Sequence, residues 1–145
     1  MLDVDLFSLL NASYTRLVGT PLVPERVDGA HWLYHDAPFA VLAHNGGPDP
    51  VFMYANRTAQ VCFEYSWDEF VRLPSRFSAE EAVRAERQRV LDAVAQQGFV
   101  TGYRGVRIAM SGRRFWIENG TIWQLHDEHA HYRGQAAMIP SWRDL

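Results

Sequence analysis

Cysteine is nearly missing from this chain of 145 residues, which contains only Cys62. A single cysteine excludes an internal disulfide and suits a reducing compartment, so we expect a cytoplasmic location. No apolar run approaches the roughly 18 residues that would span a membrane. The N-terminal MLDVDLFSLLNASY carries acids where a signal peptide would carry lysine or arginine. The formal net charge of −3 gives no basic face, which argues against a nucleic-acid partner.

The sequence also lacks the short motifs of common enzymes. It contains no GxSxG, P-loop, GxGxxG, HExxH or paired CxxC motif, so we predict that the protein is not an enzyme. The apolar fraction of 48% is enough for one domain with a substantial core. Aromatic residues at 13% indicate a core of large side chains or a cavity lined by them.

An amphipathic helix is predicted from Asp5 to Val18, ended by Gly19 and Pro21. Its apolar residues recur at helical spacing: Leu6, Leu9, Leu10, Tyr14 and Leu17. This stripe needs a surface to cover, either on a sheet of the same chain or on a second copy. We predict that the helix mediates a homodimer.

Two short apolar runs, Phe39–His44 and Val51–Ala55, flank a loop of turn residues and predict a β-hairpin. Asn56 follows directly and is a suitable N-cap for a helix over Arg57–Glu64.

Two capping boxes come next, Ser66 with Glu69 and Ser78 with Glu81. The second is predicted to open a long helix over Ala79–Gln97. The stripe expected to be buried consists of Ala82, Val83, Glu86, Val90, Ala93 and Val94.

Strand patterns fill the last third of the chain. Asn119-Gly120 is a strong hairpin signal, yet the alternation of apolar and polar residues continues through it from Arg113 to His126. We therefore predict one long strand after a tight turn at Ser111-Gly112, and a final strand over His131–Ile139. The alternation puts four residues on one inward face: Phe115, Ile117, Trp123 and Leu125.

A two-residue turn at Ser111-Gly112 would pair Arg104 with Asn119 and Gly102 with Thr121. The inward face of the sheet would then be apolar at both ends and polar in the middle. We predict a pocket there for a carboxylate or another anion, because a buried guanidinium needs a partner. The candidate ligand-binding residues are Arg104, Asn119, Thr121, Tyr54, Phe115 and Trp123.

Two alternatives to that pocket stay open. Arg104 could pair internally with a carboxylate, for which the candidates are Glu64, Asp68 and Glu86. A one-residue bulge could instead turn Arg104 outward. The same register places Arg107 across from Trp116 on the outer face, as a cation–π pair.

The sequence gives little support for a metal site or a redox site. His126, His129 and His131 cluster beside acids, but their spacing matches no standard zinc site, so we predict an exposed polar turn and no metal centre. Cys62 lies in an apolar helical pattern and is expected to be buried and unreactive.

Several stretches resemble the MEKHLA domain family. They are YANRTAQVCFEYSWDEFVRLPSR, ERQRVLDAVAQQGF, YRGVRIAMSGRRFWIENGTIWQL and GQAAMIPSW, within about Pro38 to Trp142. The resemblance implies a PAS-like α+β fold, namely a five-stranded antiparallel sheet with helices on one face and an N-terminal flanking helix. The implied division is a flanking helix at 1–20, a linker at 21–37 and the PAS-like domain at 38–142.

The resemblance implies a sensory or regulatory domain that binds a small ligand between sheet and helices. It does not name the ligand or a cofactor. The alternative is a ligand-free protein-interaction module that dimerises around a filled core. PAS relatives that bind flavin covalently carry a reactive cysteine after the second short helix, where this chain has Leu73–Arg76. The sequence therefore argues against a photochemical cysteine adduct.

Overall fold

The computed structural model describes residues 3–79 and 84–145, apart from the side chains of 84–87. Its helices are α1 (Val4–Val18), α2 (Gly29–His31), α3 (Arg57–Phe63), α4 (Trp67–Phe70) and α5 (Arg84–Gln97), with a π-helical turn at Trp32–Asp36 and a 3₁₀ turn at Ser75–Ser78. Its strands are β1 (Ala40–His44), β2 (Phe52–Ala55), β3 (Phe99–Ile108), β4 (Arg114–His126), β5 (Tyr132–Ile139) and β6 (Ser141–Asp144). These strands form one antiparallel sheet in the order β2-β1-β5-β4-β3, with β6 also paired to β4.

Helices cover the sheet on both sides. On one side, which we call the α5 face, α3, α4 and α5 pack against the sheet. The helices contribute Phe63, Phe70 and Val94 to this core, and the sheet contributes Phe115, Ile117 and Ile122. On the other side, the α1 face, the sheet packs with α1 and the segment after it; the residues there include Leu10, Tyr14, Leu33, Trp123, Leu125 and Ala136. The predicted PAS-like α+β sheet is confirmed, with β6 as a strand that the sequence did not predict.

The predicted N-terminal helix is present, and its apolar stripe lies on its own sheet. The Asp3 side chain caps it by accepting a hydrogen bond from the Leu6 N–H at 3.0 Å. Leu10 is fully buried, and its carbonyl accepts from Trp123 Nε1 at 3.3 Å. The ring of Tyr14 meets Trp123 edge-on, with centroids 4.9 Å apart. The apolar stripe of α1 therefore covers the sheet of its own chain, which is one of the two surfaces considered for it.

Asn56 caps α3 as predicted, and its fully buried side chain does more than cap. Its Oδ1 accepts from the N–H groups of Ala59 and Val41, both at 3.0 Å. Its Nδ2 donates to the carbonyls of Leu33 at 2.9 Å and Phe39 at 3.0 Å. One side chain thus joins α3, β1 and the segment that precedes β1.

The capping box at Ser66 and Glu69 is confirmed, with both of its hydrogen bonds present at the start of α4. The second predicted box, which ends at Glu81, extends outside the described residues. In the predicted stripe of the long helix, Val94 is buried and Val90 packs against the same core. Ala93 is half-buried, and the other three members, Ala82, Val83 and Glu86, lie outside the described side chains.

The predicted register between β3 and β4 is wrong by one residue next to the loop, from Gly105 to Ile108, although Tyr103 pairs with Gly120 as that register requires. The strands are joined by a three-residue loop in which the Ala109 N–H donates to the Arg113 carbonyl at 2.9 Å and Gly112 has a φ of 91°. Ile108 therefore pairs with Arg114, and Arg107 with Phe115. A one-residue shift moves each side chain of a strand to the opposite face. Arg107 consequently lies on the α5 face.

The single long strand β4 is confirmed, but it changes face midway. Asn119 adopts a φ of 54°, in the left-handed region that asparagine tolerates better than most residues, and forms a bulge instead of a hairpin. Phe115 and Ile117 before the bulge lie on the α5 face, whereas Trp123 and Leu125 after it lie on the α1 face. The prediction that these four share one face is wrong, because the extra residue reverses the alternation.

The pairing along the other edge of β4 is also interrupted at the bulge. β5 pairs with β4 as far as Thr121, and β6 resumes the pairing at Glu118. Pro140 stands between β5 and β6. Because proline has no N–H to donate to the ladder, it suits the point where the ladder is already interrupted.

Candidate functional site

A cavity of about 60 Å³ lies between the α5 face of the sheet and α5. Its apolar wall includes Leu42, Phe52, Phe63, Val90, Ile122 and Ile139. Its polar wall consists of His44, Ser75, Ser78, Arg107, Thr121 and Gln135. This mixture of a mainly apolar lining with a few polar groups is typical of small-molecule sites.

The cavity is small. At roughly 10–15 Å³ for each water, it has room for about four to six waters, or a molecule with as many non-hydrogen atoms. Pockets for drug-sized ligands span about 300–1,000 Å³. The space therefore fits a small metabolite and does not fit a flavin.

The 3₁₀ turn forms one polar side of the cavity. Ser75 and Ser78 are both buried, and Ser78 Oγ donates to the Ser75 carbonyl at 2.7 Å. The backbone N–H of Ser75 donates to the Pro50 carbonyl at 2.8 Å, which anchors the turn to the loop before β2. The turn thus brings the hydroxyl of Ser78 to the cavity wall on a fixed backbone.

Arg107 supplies the cationic group of the wall. Its side chain is half-buried, and its guanidinium carbon lies 5.4 Å from the ring centroid of Tyr103, another residue of the wall. Nη1 donates to the Val106 carbonyl at 3.1 Å, which uses one of five N–H donors. Within the described side chains, no carboxylate forms an ion pair with it.

Arg104, the predicted centre of the pocket, lies elsewhere. It is exposed, with its guanidinium 4.1 Å from the ring centroid of Trp116. The prediction that Arg104 points inward is wrong, as is the prediction that Arg107 pairs with Trp116. The one-residue shift of register exchanges the two arginines between faces.

The other two polar candidates are separated from each other. Asn119 is exposed at the bulge, whereas Thr121 is buried and lines the cavity. The alternative ion pair with Glu64 does not form, because Glu64 binds Arg113 at 3.3 Å. Glu86 lies outside the described side chains.

The three aromatic candidates are buried but do not line the cavity. Trp123 lies on the α1 face, and Phe115 packs edge-on against Phe63 with ring centroids 5.2 Å apart. Tyr54 lies among other rings, with Trp67 at 5.9 Å. Burial, helped by the neighbouring Tyr34, raises the pKa of Tyr54 well above its usual range.

Sequence reasoning missed Arg107 because it assumed a two-residue turn. Ser111-Gly112 fits equally well in a three-residue loop, where glycine takes the left-handed position at its end. Gly112 occupies that position, and counting from such a loop assigns Arg107 to the α5 face.

Cys62 is buried on α3 and does not line the cavity. Burial raises the pKa of its thiol to about 12, in spite of the opposing effect of Arg113 nearby. At neutral pH the sulfur is therefore a protonated, inert packing group.

The histidines after β4 lie around a polar turn. The Asp127 carboxylate accepts hydrogen bonds at 2.9 Å from the backbone N–H groups of both His129 and His131. In the part of the chain that the structure describes, no three His, Cys, Asp or Glu side chains are grouped so that they could hold a metal ion. Among the described helices, none is long and apolar enough to cross a membrane.

Comparisons with known proteins agree with this geometry. The model of the MEKHLA domain family matches residues 4–144. No curated protein matches the sequence. Among solved structures, a PAS domain from Colwellia psychrerythraea is similar, with a TM-score of 0.64, 18% identity, and coverage of 77% of this chain and 90% of that one.

Two further structures show the same likeness. The PAS domain of a two-component sensor histidine kinase has a TM-score of 0.60 and 21% identity, covering 80% of this chain and 93% of its own. The fungal blue-light photoreceptor Vivid, in its light-state dimer, has a TM-score of 0.64 and 17% identity, covering 94% and 93%. At such identities the likeness shows the PAS fold and nothing finer.

Proposed function

This chain belongs to the MEKHLA domain family, and from that premise we propose that it is a sensory or regulatory domain that binds a small ligand between its sheet and α5. The cavity carries the proposal, because its lining is apolar with a few polar side chains. The PAS-like fold of the family supports a regulatory role. Binding, and not catalysis, is the proposed activity.

The size of the cavity sets the experiment. We would screen metabolites of up to about six non-hydrogen atoms for an increase in melting temperature, since a ligand that binds only the folded state stabilises it. Ala137→Leu adds three carbons to the cavity wall and should abolish stabilisation by any compound that binds there. Ala12→Leu makes the same change at an exposed position of α1 and should keep it.

A ligand-free interaction module is the second candidate function. The small volume of the cavity favours it, because a core that is nearly filled needs no ligand. If no compound in the screen stabilises the unmodified protein more than the Ala137→Leu variant, the ligand-binding proposal fails and this candidate takes its place.

The proposal includes a homodimer that involves α1, and a cytoplasmic location. The dimeric form of Vivid supports the first, and the lone buried cysteine suits the second. Because the α1 stripe already covers its own sheet, a dimer through that stripe requires two copies to exchange α1. Light scattering on a chain that begins at Pro21 is the test, and a dimer that persists without α1 would refute this role.

A further inference from the structure

Arg107 is the strongest pointer to what the cavity holds. The residue is half-buried beside a mainly apolar space, and one of the five N–H donors of its guanidinium is used by the Val106 carbonyl. Removing a charged group from water is costly unless a partner of opposite charge replaces the water. No described carboxylate supplies that partner.

The other arginines around the sheet show the contrast. Arg113 binds both Glu64 and Asp144, and Arg143 binds Glu118 at 3.1 Å. Glu64 follows α3, Glu118 lies on β4 and Asp144 lies on β6, and none of the three lines the cavity. Arg113 and Arg143 each have an acidic partner, whereas the described part of the cavity wall around Arg107 contains no acidic residue.

The remaining wall defines the rest of the ligand. Ser78 is a buried residue of the same wall, but its hydroxyl proton is donated to the Ser75 carbonyl, so Arg107 is left to donate to both oxygens of a carboxylate. The opposite side is apolar, with Leu42, Ile122 and Ile139. A molecule with one anionic end and a short apolar end matches both sides.

We infer that the cavity takes a small monocarboxylate, of about two to four carbons by the volume available, with its carboxylate on Arg107 and its tail on the apolar wall. The inference rests on the proposed function and names the class of ligand. Bidentate pairing of guanidinium and carboxylate fixes the orientation of the acid. A ligand of about five non-hydrogen atoms cannot bind more tightly than about 3 µM, so weak, readily reversed binding is expected.

The experiment titrates propionate into the full chain and follows binding by calorimetry and by melting temperature. Sodium chloride keeps the ionic strength constant, and propionamide serves as the neutral analogue of the same shape. We expect saturable binding of propionate and at least about tenfold weaker binding of propionamide, as befits a charge-assisted hydrogen bond.

Arg107→Gln should weaken propionate binding by at least about tenfold, and Arg107→Lys should retain part of it, since lysine keeps the charge without the fork. Arg104→Gln is the matched control, because Arg104 lies on the same strand but on the exposed face. It should leave the affinity unchanged. Circular dichroism on each variant verifies the fold.

Four results would overturn the inference, and the first three are no saturable propionate binding, equal binding by Arg107→Gln, and equal loss in Arg104→Gln. Equal binding of propionamide, abolished by Ala137→Leu, would also overturn it while leaving the proposed ligand-binding function intact. The proposed function fails separately, when the screen finds no compound whose stabilisation depends on the cavity.

Discussion

Replacing Asn56 by alanine should destabilise the fold far more than the loss of an ordinary helix cap. Removal of a cap costs about 1 kcal/mol. The other three hydrogen bonds of this buried side chain go to Val41, Leu33 and Phe39, and each backbone group left without a partner costs about 1 kcal/mol or more. We expect a loss of about 3–5 kcal/mol, a large share of the 5–15 kcal/mol typical of a domain.

The assay is urea unfolding followed by tryptophan fluorescence. With a slope of about 1–3 kcal/mol/M, the Asn56→Ala midpoint should fall by at least about 1 M. Ser66→Ala is the matched control, because Ser66 also caps a helix but makes only local, exposed hydrogen bonds. It should cost about 1 kcal/mol or less. Equal losses in the two variants would refute the reasoning that Asn56 joins distant segments.

Asn56→Asp refines the same prediction. The carboxylate keeps acceptors for Ala59 and Val41 but faces the carbonyls of Leu33 and Phe39 without a proton to donate. Burial should raise the pKa of the new aspartate above its unfolded value. The folded state then binds the proton more tightly, so the variant should be closest to the natural protein in acid and lose stability as pH rises.

Three further predictions concern other parts of the chain. Leu10→Ala should cost about 2–5 kcal/mol in urea unfolding, whereas Val4→Ala, at an exposed position, should change stability by no more than about 0.5 kcal/mol. Cys62, whose thiol pKa burial raises to about 12, should resist a thiol reagent at neutral pH and react once urea unfolds the chain. Hydrogen bonds from Ser111, with help from a neighbouring arginine, lower the pKa of the Glu64 carboxyl. The contribution of Glu64 to the stability of the fold should therefore be lost as pH falls below about 4.5. Glu64→Gln should remove that part of the dependence of stability on acid pH.

The local features of the fold could be predicted from the sequence because short-range chemistry decides them. Asn56 and Ser66 cap helices at the positions that their spacing indicates. The stripe of α1 follows from periodicity alone. The choice of one strand through Asn119-Gly120 was also correct, since a reversal there would have mixed apolar and polar residues on both faces.

The candidate site could not be predicted because it depends on register, which two small backbone features decide. The loop that ends at Gly112 contains one residue more than a tight turn, and this moves Arg107 inward and Arg104 outward. The bulge at Asn119 then reverses the faces of Trp123 and Leu125. Neither feature changes the pattern of strands. The strands can therefore be predicted from the sequence, but the side-chain contacts between them cannot.

Methyl NMR with propionate as the probe tests the location of the proposed site most directly. The methyl groups of Ile117 and Ile122 lie in the cavity wall, whereas Leu10 and Leu125 lie on the α1 face. We predict saturable shifts at the two isoleucines that disappear in Arg107→Gln, with no saturable shift at the two leucines. Shifts that centre on the leucines, or isoleucine methyls that stay unchanged throughout the titration, would contradict a carboxylate site between the sheet and α5.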